Sequence, residues 1–227
     1  MRQPELPEIP RSAMMTTQEY AYLRLRNAVM IGALPPGTAL TFRGLAEQLD
    51  LSPTPIREAL RRLSSENAIR VLGNRRLRVP EMTAGRVEEL VQLRIALETH
   101  AARRAFPYIS DIAIARLTGL DDRMDKALAA RDLDGLTRMN QDFHRDLYGL
   151  NPDQAAQPLI ESVWLQLGPF QRQVIEHLDD YANADHHKEM LAAMCDRDLP
   201  ALCAAIENDI HDGSIRAGRR MLQEACA

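Results

Sequence analysis

Ser52-Pro53-Thr54-Pro55 opens the stretch LSPTPIREALRRL, residues 51–63, and constrains the fold more than any other feature of the chain. A helix interior rejects proline. The first four N–H groups of a helix, however, have no intrahelical partner, so a proline there loses no hydrogen bond and brings a suitable φ. The stretch predicts a sharply started helix, with Ser52 as N-cap, Pro53 at the first helical position and Pro55 at the third. Arg57 and Arg61 follow one turn apart on one side, with Arg62 beside them, so the front of this helix is basic.

The flanking segments place that helix. EYAYLRLRNAVMIG (19–32) has apolar residues at helical spacing and ends at Gly32, after which Pro35, Pro36 and Gly37 force a tight loop. TFRGLAEQLDL (41–51) opens on Thr41 as a cap and reads as helical through Leu45, Ala46 and Leu49. The proline-headed helix runs to about residue 67. AIRVLGNRRLRVP (68–80) alternates apolar and basic residues around a Gly-Asn turn, the pattern of a two-stranded hairpin. Helix, short helix, basic helix and basic hairpin is the order of a winged helix-turn-helix. From Thr83 onward no strand signal remains. Amphipathic segments at 84–106, 111–131, 133–150, 153–177, 182–197 and 199–225 predict an antiparallel bundle of about six helices. The fold class is therefore mainly α. A flexible, proline-rich leader (1–15) is expected, then the winged domain (16–80) and the helical domain (83–227).

Composition narrows the function classes. No apolar run approaches the roughly 20 residues that cross a bilayer, and the N-terminus lacks the apolar stretch of a signal peptide. Cys195, Cys203 and Cys226 are odd in number and lack C-x-x-C spacing, which fits a reduced, cytoplasmic protein. The net charge of −4 is unevenly spread. Residues 16–82 carry ten Arg against six acids, and residues 83–227 carry sixteen Lys or Arg against twenty-four acids. A small basic half joined to a larger acidic one suggests that the first meets a polyanion and the second does not.

In a helix-turn-helix, the second helix presents its N-terminal residues to base edges in the major groove. The free amides at that end and the positive end of the helix dipole favour phosphate. The prolines fix the entry angle and leave the Thr54 amide and hydroxyl free beside Ser52. Arg57 is placed for phosphate or guanine, and Arg43, at the start of the preceding helix, for a second contact. Asn74, Arg75 and Arg76, at the hairpin tip, suit a wing lying along the backbone or minor groove. The bland alternative is a solvated basic face on an ordinary three-helix domain.

GALPPGTAL, followed by LAEQLDLSPTPIREALRRL, closely resembles the DNA-binding domain of GntR-family transcription regulators. Two positions depart from the family pattern. Pro53 stands where the family's S-R-T-P arginine contacts DNA, and Arg76 stands where its wing carries glycine. The resemblance thus implies double-stranded DNA as partner; the first departure removes an expected base contact, which implies either an unusual operator or weaker binding.

The helical half has polar residues on apolar stripes. Asn140 interrupts Leu136, Phe143 and Leu147, with His144 one turn later; His187 heads Leu191 and Met194; Asp209 continues Leu202 and Ile206; Arg94 lies among Val87, Leu90 and Leu97. Isolated polar groups facing a core are costly unless paired. Two imidazoles, an amide and a carboxylate could hold Zn²⁺, Ni²⁺ or Mn²⁺, and an arginine could clamp a carboxylate ligand. Alternatively, each is satisfied locally at the core edge.

LRIALETHAARRA, NQDFHRDLYGL and HHKEMLAAMCDRD resemble the FCD effector-binding domain of the FadR branch of GntR regulators. That resemblance implies a metal site at Asn140, His144, His187 and Asp209, the last in place of the family's third histidine. His211 lies about 200° around the helix from the required face. Small carboxylates are the family's usual effectors, with Arg94 as the effector-binding residue. The expected protein is a homodimeric, ligand-responsive regulator, most simply a repressor, on a pseudo-palindromic operator. Two rivals are a helical-bundle metal enzyme, for which no H-E-x-x-H signature is present, and an interaction module that has lost DNA reading. His100, His177 and His186 are expected to be exposed.

Overall fold

The computed structural model describes residues 5–72, 76–177 and 186–216. The chain divides into two compact units, Met1–Met82 with Trp164–Gln173, and Thr83–Val163 with Val174–Ala227.

In the first unit, α1 (Thr17–Met30) begins two residues before its apolar pattern does, because Thr16 caps it. The Thr16 hydroxyl accepts from the Glu19 N–H, and the Glu19 carboxylate accepts from the Thr16 N–H, a reciprocal capping box. Then come β1 (Ala39–Leu40), α2 (Phe42–Leu49), α3 (Pro53–Ser65), β2 (Arg70–Leu72) and β3 (Arg76–Arg78). Thr41 caps α2 by accepting from the Gly44 N–H at 3.1 Å. Asp50 ends α2 in the left-handed region at φ 51°, a conformation that a short polar residue tolerates. Only Leu51 and Ser52 then separate α2 from α3, so the two helices meet at a tight corner. Pro53 stands at the first helical position, as its chemistry requires, but the Ser52 side chain makes no capping hydrogen bond. The prolines themselves supply the stop and start. Leu25, Leu45, Ile56, Leu60 and Leu63 close the core.

The wing differs from a simple hairpin. β3 pairs with β2 on one side and β1 on the other, giving a three-stranded antiparallel sheet in the order β1-β3-β2, with Leu40 opposite Leu77. β1 has two residues, too few to show a period-2 pattern. The described part of the expected leader, residues 5–15, forms no helix or strand, yet Leu6 is 2% exposed and its carbonyl accepts from Arg24. The leader is therefore pinned at that point.

The second unit contains α4 (Ala84–Ala105), α5 (Asp111–Ala129), α6 (Leu133–Tyr148), α8 (His187–Cys195), α9 (Leu199–His211) and the ends of α7 (Gln157–His177). Thr83, Ser110, Asp132 and Asp198 each accept a backbone N–H at a helix start. α5 packs on α6, α8 on α9, and α4 on both α6 and α9. α9 continues as a wider π turn over Asp212–Arg216. The expected six helices are all present. α7 begins four residues later than its pattern, because turns occupy the stretch from Asn151. The first residues expected in α8 lie outside the described ones, as does the tail expected for α9.

Candidate DNA-reading face and cation pocket

The corner between α2 and α3 brings Phe42, Arg43, Ser52, Pro53 and Arg57 around one shallow groove. Arg57 is exposed, with its guanidinium carbon 5.8 Å from the Phe42 ring centre, a stacking contact that orients it across the groove. Arg43 is exposed and hydrogen-bonded through Nε to Glu47 at 2.7 Å. In water such a pair holds weakly, so phosphate can draw Arg43 away. Thr54 is exposed at the helix start. The other α3 arginines are used differently. Arg62 lies 3.7 Å over the Tyr22 ring and bonds Glu66, whose carboxylate accepts from the Tyr22 hydroxyl at 2.8 Å. Arg61 pairs with Glu58. Arg62 therefore staples α3 to α1. Arg76 is exposed on β3, while Asn74 and Arg75 lie outside the described residues.

In the second unit, α6, α8 and α9 bring together His144, His187 and Asp209, whose donor atoms all lie within 4.8 Å of one another. His144 and His187 are buried, their ring centres 5.3 Å apart. Phe143 meets the His187 ring edge-on at 4.5 Å and walls one side. His144 Nε2 lies 3.3 Å from Asp209 Oδ2. Burial raises the Asp209 pKa, but the hydrogen bond with His144 and the positive charges of His187, His144 and Arg94 outweigh it, holding the carboxyl far below its usual range. The Asn140 amide nitrogen is 3.3 Å from His187 Nε2. Turning that amide over presents its oxygen to the same space. An ion bonded at about 2.1 Å to N and O donors would close this cluster with a modest inward movement. Two imidazoles and a carboxylate suit Zn²⁺, Ni²⁺ or Mn²⁺, so the residues present fit a divalent ion.

Behind the pocket runs a buried polar chain. Arg94 Nε donates to Glu98 Oε1 at 2.7 Å, Tyr148 Oη lies 2.9 Å from Glu98 Oε2, and His144 Nδ1 lies 3.1 Å from Tyr148 Oη. Burial would lower the Arg94 pKa, but the Glu98 charge and hydrogen bond more than reverse this. Burial, with Glu98 beside it, pushes the Tyr148 phenol well above its usual range. Sequence reasoning named Arg94 and His144 but missed Glu98 and Tyr148. Each stands four residues after its partner on the same helix, and that spacing was the available signal. His186 is not exposed as expected: at 18% side-chain exposure it bonds Asp212 at 3.1 Å, tying the start of α8 to the π turn. His211 is more exposed and contacts Asp212, away from the pocket. His100 is exposed, and the His177 side chain lies outside the described ones.

A basic corner helix in one unit and a buried donor cluster in the other together define a DNA-binding regulator with a ligand domain. Residues 17–79 match the family of bacterial regulatory proteins described as gntR, and residues 89–212 match the FCD domain. The chain belongs to the GntR family of regulators with an FCD domain. It is 30% identical over 177 residues to the HTH-type transcriptional regulator McbR of Escherichia coli K12, covering 77% of this chain and 80% of that one. It is 23% identical over 198 residues to the gluconate operon transcriptional repressor of Bacillus subtilis, covering 83% and 79%. Among solved structures, E. coli McbR/YncC superposes with a TM-score of 0.83 at 25% identity, covering 94% of this chain and all of that one. A GntR regulator from Rhodococcus sp. RHA1 shares the fold, with a TM-score of 0.72 at 22% identity over 92% of this chain. The protein is accordingly a DNA-binding transcription regulator, and the enzyme rival gives way. No helix among the described residues is long and apolar enough to cross a membrane.

Proposed function

We propose that this regulator acts as a homodimer on a pseudo-palindromic operator and represses until a small carboxylate, held with a divalent ion in the FCD domain, weakens its grip on DNA. Arg43, Ser52, Thr54, Arg57 and the wing residues Asn74, Arg75 and Arg76 form its DNA face. The ion sits among His144, His187, Asp209 and Asn140, and Arg94 draws the effector's charge toward the pocket. Such a protein works in the cytoplasm, where DNA and metabolites meet. The observation that carries this reading is the convergence of three donors from three helices within 4.8 Å, inside the segment that matches the FCD domain. An ion placed there would complete coordination with the effector's carboxylate oxygens.

Selection of bound DNA from a random pool, with purified protein at moderate salt and in parallel with Zn²⁺ and a panel of di- and tricarboxylates, tests it. The expected result is an enriched inverted repeat whose retention drops when ion and carboxylate are both present. Retention that depends only on salt, with no enriched sequence, removes operator reading. An enriched repeat indifferent to every carboxylate removes the effector class.

A further inference from the structure

The hydrogen-bond chain behind the pocket fixes a proton on a particular atom. Glu98 is a carboxylate facing the Arg94 guanidinium on Oε1, so on Oε2 it can only accept. Tyr148, fully buried, has one proton, and the 2.9 Å contact commits it to Glu98. The Tyr148 oxygen can then meet His144 Nδ1, 3.1 Å away, only as an acceptor, and Nδ1 must carry a hydrogen. On a neutral ring Nε2 is left with its lone pair, aimed across 3.3 Å at Asp209 Oδ2. Two acceptors at that distance repel unless a cation lies between them: a proton there makes the hydrogen bond to Asp209 described above, and a metal ion takes the place of that proton.

We infer that Glu98 and Tyr148 are positioning residues which lock His144 with its hydrogen on Nδ1, so that the Nε2 lone pair is presented to a divalent cation held with Asp209 and His187. This rests on the cation-pocket reading above and adds which atoms take the ion and what makes them available. A ligating histidine whose other nitrogen is anchored keeps its ring orientation and is a better donor, and losing such an anchor typically costs about 10–100-fold in metal affinity. The anchor here is a phenol relayed to a carboxylate, and Arg94 supplies its charge balance. The guanidinium of Arg94 is thereby engaged through Nε in holding the relay, whatever its remaining nitrogens do.

The test is imidazole ¹⁵N NMR of the full-length protein, metal-free and titrated with Zn²⁺, alongside zinc affinity by competition with a chelating dye. The expected spectrum keeps a hydrogen on His144 Nδ1 in both states, and zinc shifts Nε2 alone. Tyr148→Phe should bind zinc about 10–100-fold more weakly with unchanged helical circular dichroism. Glu98→Gln offers Tyr148 an amide donor, which frees the phenol proton for Nδ1 and reverses the relay. That variant should show the hydrogen moved to Nε2 and a matching loss of affinity. A bare Nδ1 in the wild-type protein overturns the relay while zinc uptake leaves the pocket reading intact. A hydrogen on Nδ1 without zinc uptake overturns the pocket reading and the relay's purpose with it. Unchanged affinity in a folded Tyr148→Phe removes Tyr148 as a positioning residue. If neither variant folds, the wild-type spectra alone decide.

Discussion

Arg94 and Glu98 show how much one buried pair commits. Their side chains are 6% and 0% exposed, and removing one partner from such a pair strands the other's charge. Arg94→Leu should cost about 3–5 kcal/mol of stability in urea melts. A loss below about 1 kcal/mol would mean that Glu98 had found another counter-charge. Arg57, in contrast, is exposed and serves binding, so Arg57→Ala should leave urea stability unchanged while weakening operator affinity by about 1–3 kcal/mol if it reads a base. An unchanged affinity would remove it from the interface. Glu19 offers a pH signature. The Thr16 backbone and side-chain hydrogen bonds lower its pKa, so the capping box contributes its stability above the ordinary carboxylate range and loses it as pH falls through the folded value. Glu19→Gln should therefore flatten the acid limb of the stability curve slightly, and a parallel curve would show that the box contributes nothing.

At the scale of elements, α7 comes directly against the end of α1. A Cβ on Gly168 would run into the carbonyl oxygen of Met30 and come within 2.7 Å of that of Val29, both backbone atoms that cannot swing aside. A Cβ on Gly32, at φ 73°, would meet the Arg172 side chain and come within 2.8 Å of the Gly168 carbonyl oxygen. Gly168→Ala should destabilise by roughly 1–3 kcal/mol, read as a lower midpoint in thermal melts. Elements with a local chemical cause were legible in advance: α3 through its prolines, α2 through Thr41, and the bundle helices through their 3.6-residue stripes. What escaped had no local cause. β1 exists because β3 offers it an edge, and the Leu6 carbonyl is held by Arg24, eighteen residues away. In the pocket, the residues that break an apolar stripe were legible. Glu98 and Tyr148 carried only the weaker signal of i,i+4 spacing to Arg94 and His144, which does not tell a buried partner from ordinary surface until the depth of the pair is known.

At the scale of the whole molecule, the charge split read from composition agrees with the division of labour: the basic segment carries the corner helix and wing, and the acidic segment carries the donor cluster. The first unit runs to Met82 and takes in Trp164–Gln173 as well, a contribution with no signal in the sequence, since nothing in a helical stripe says which unit it will face. That contribution has a practical consequence. The DNA-reading unit is not a cassette encoded by one continuous stretch. A gene for residues 1–82 alone leaves out Trp164, Leu165, Leu167 and Phe170, four buried side chains worth roughly 1.5–3 kcal/mol each. Such a fragment should melt early and bind hydrophobic dyes, and a native-like melt would show that it stands alone. A chimera grafting these 82 residues onto another regulator's bundle would inherit Gly32 without its counterpart at Gly168. Exchanging operator specificity between such proteins therefore calls for transplanting two stretches of chain.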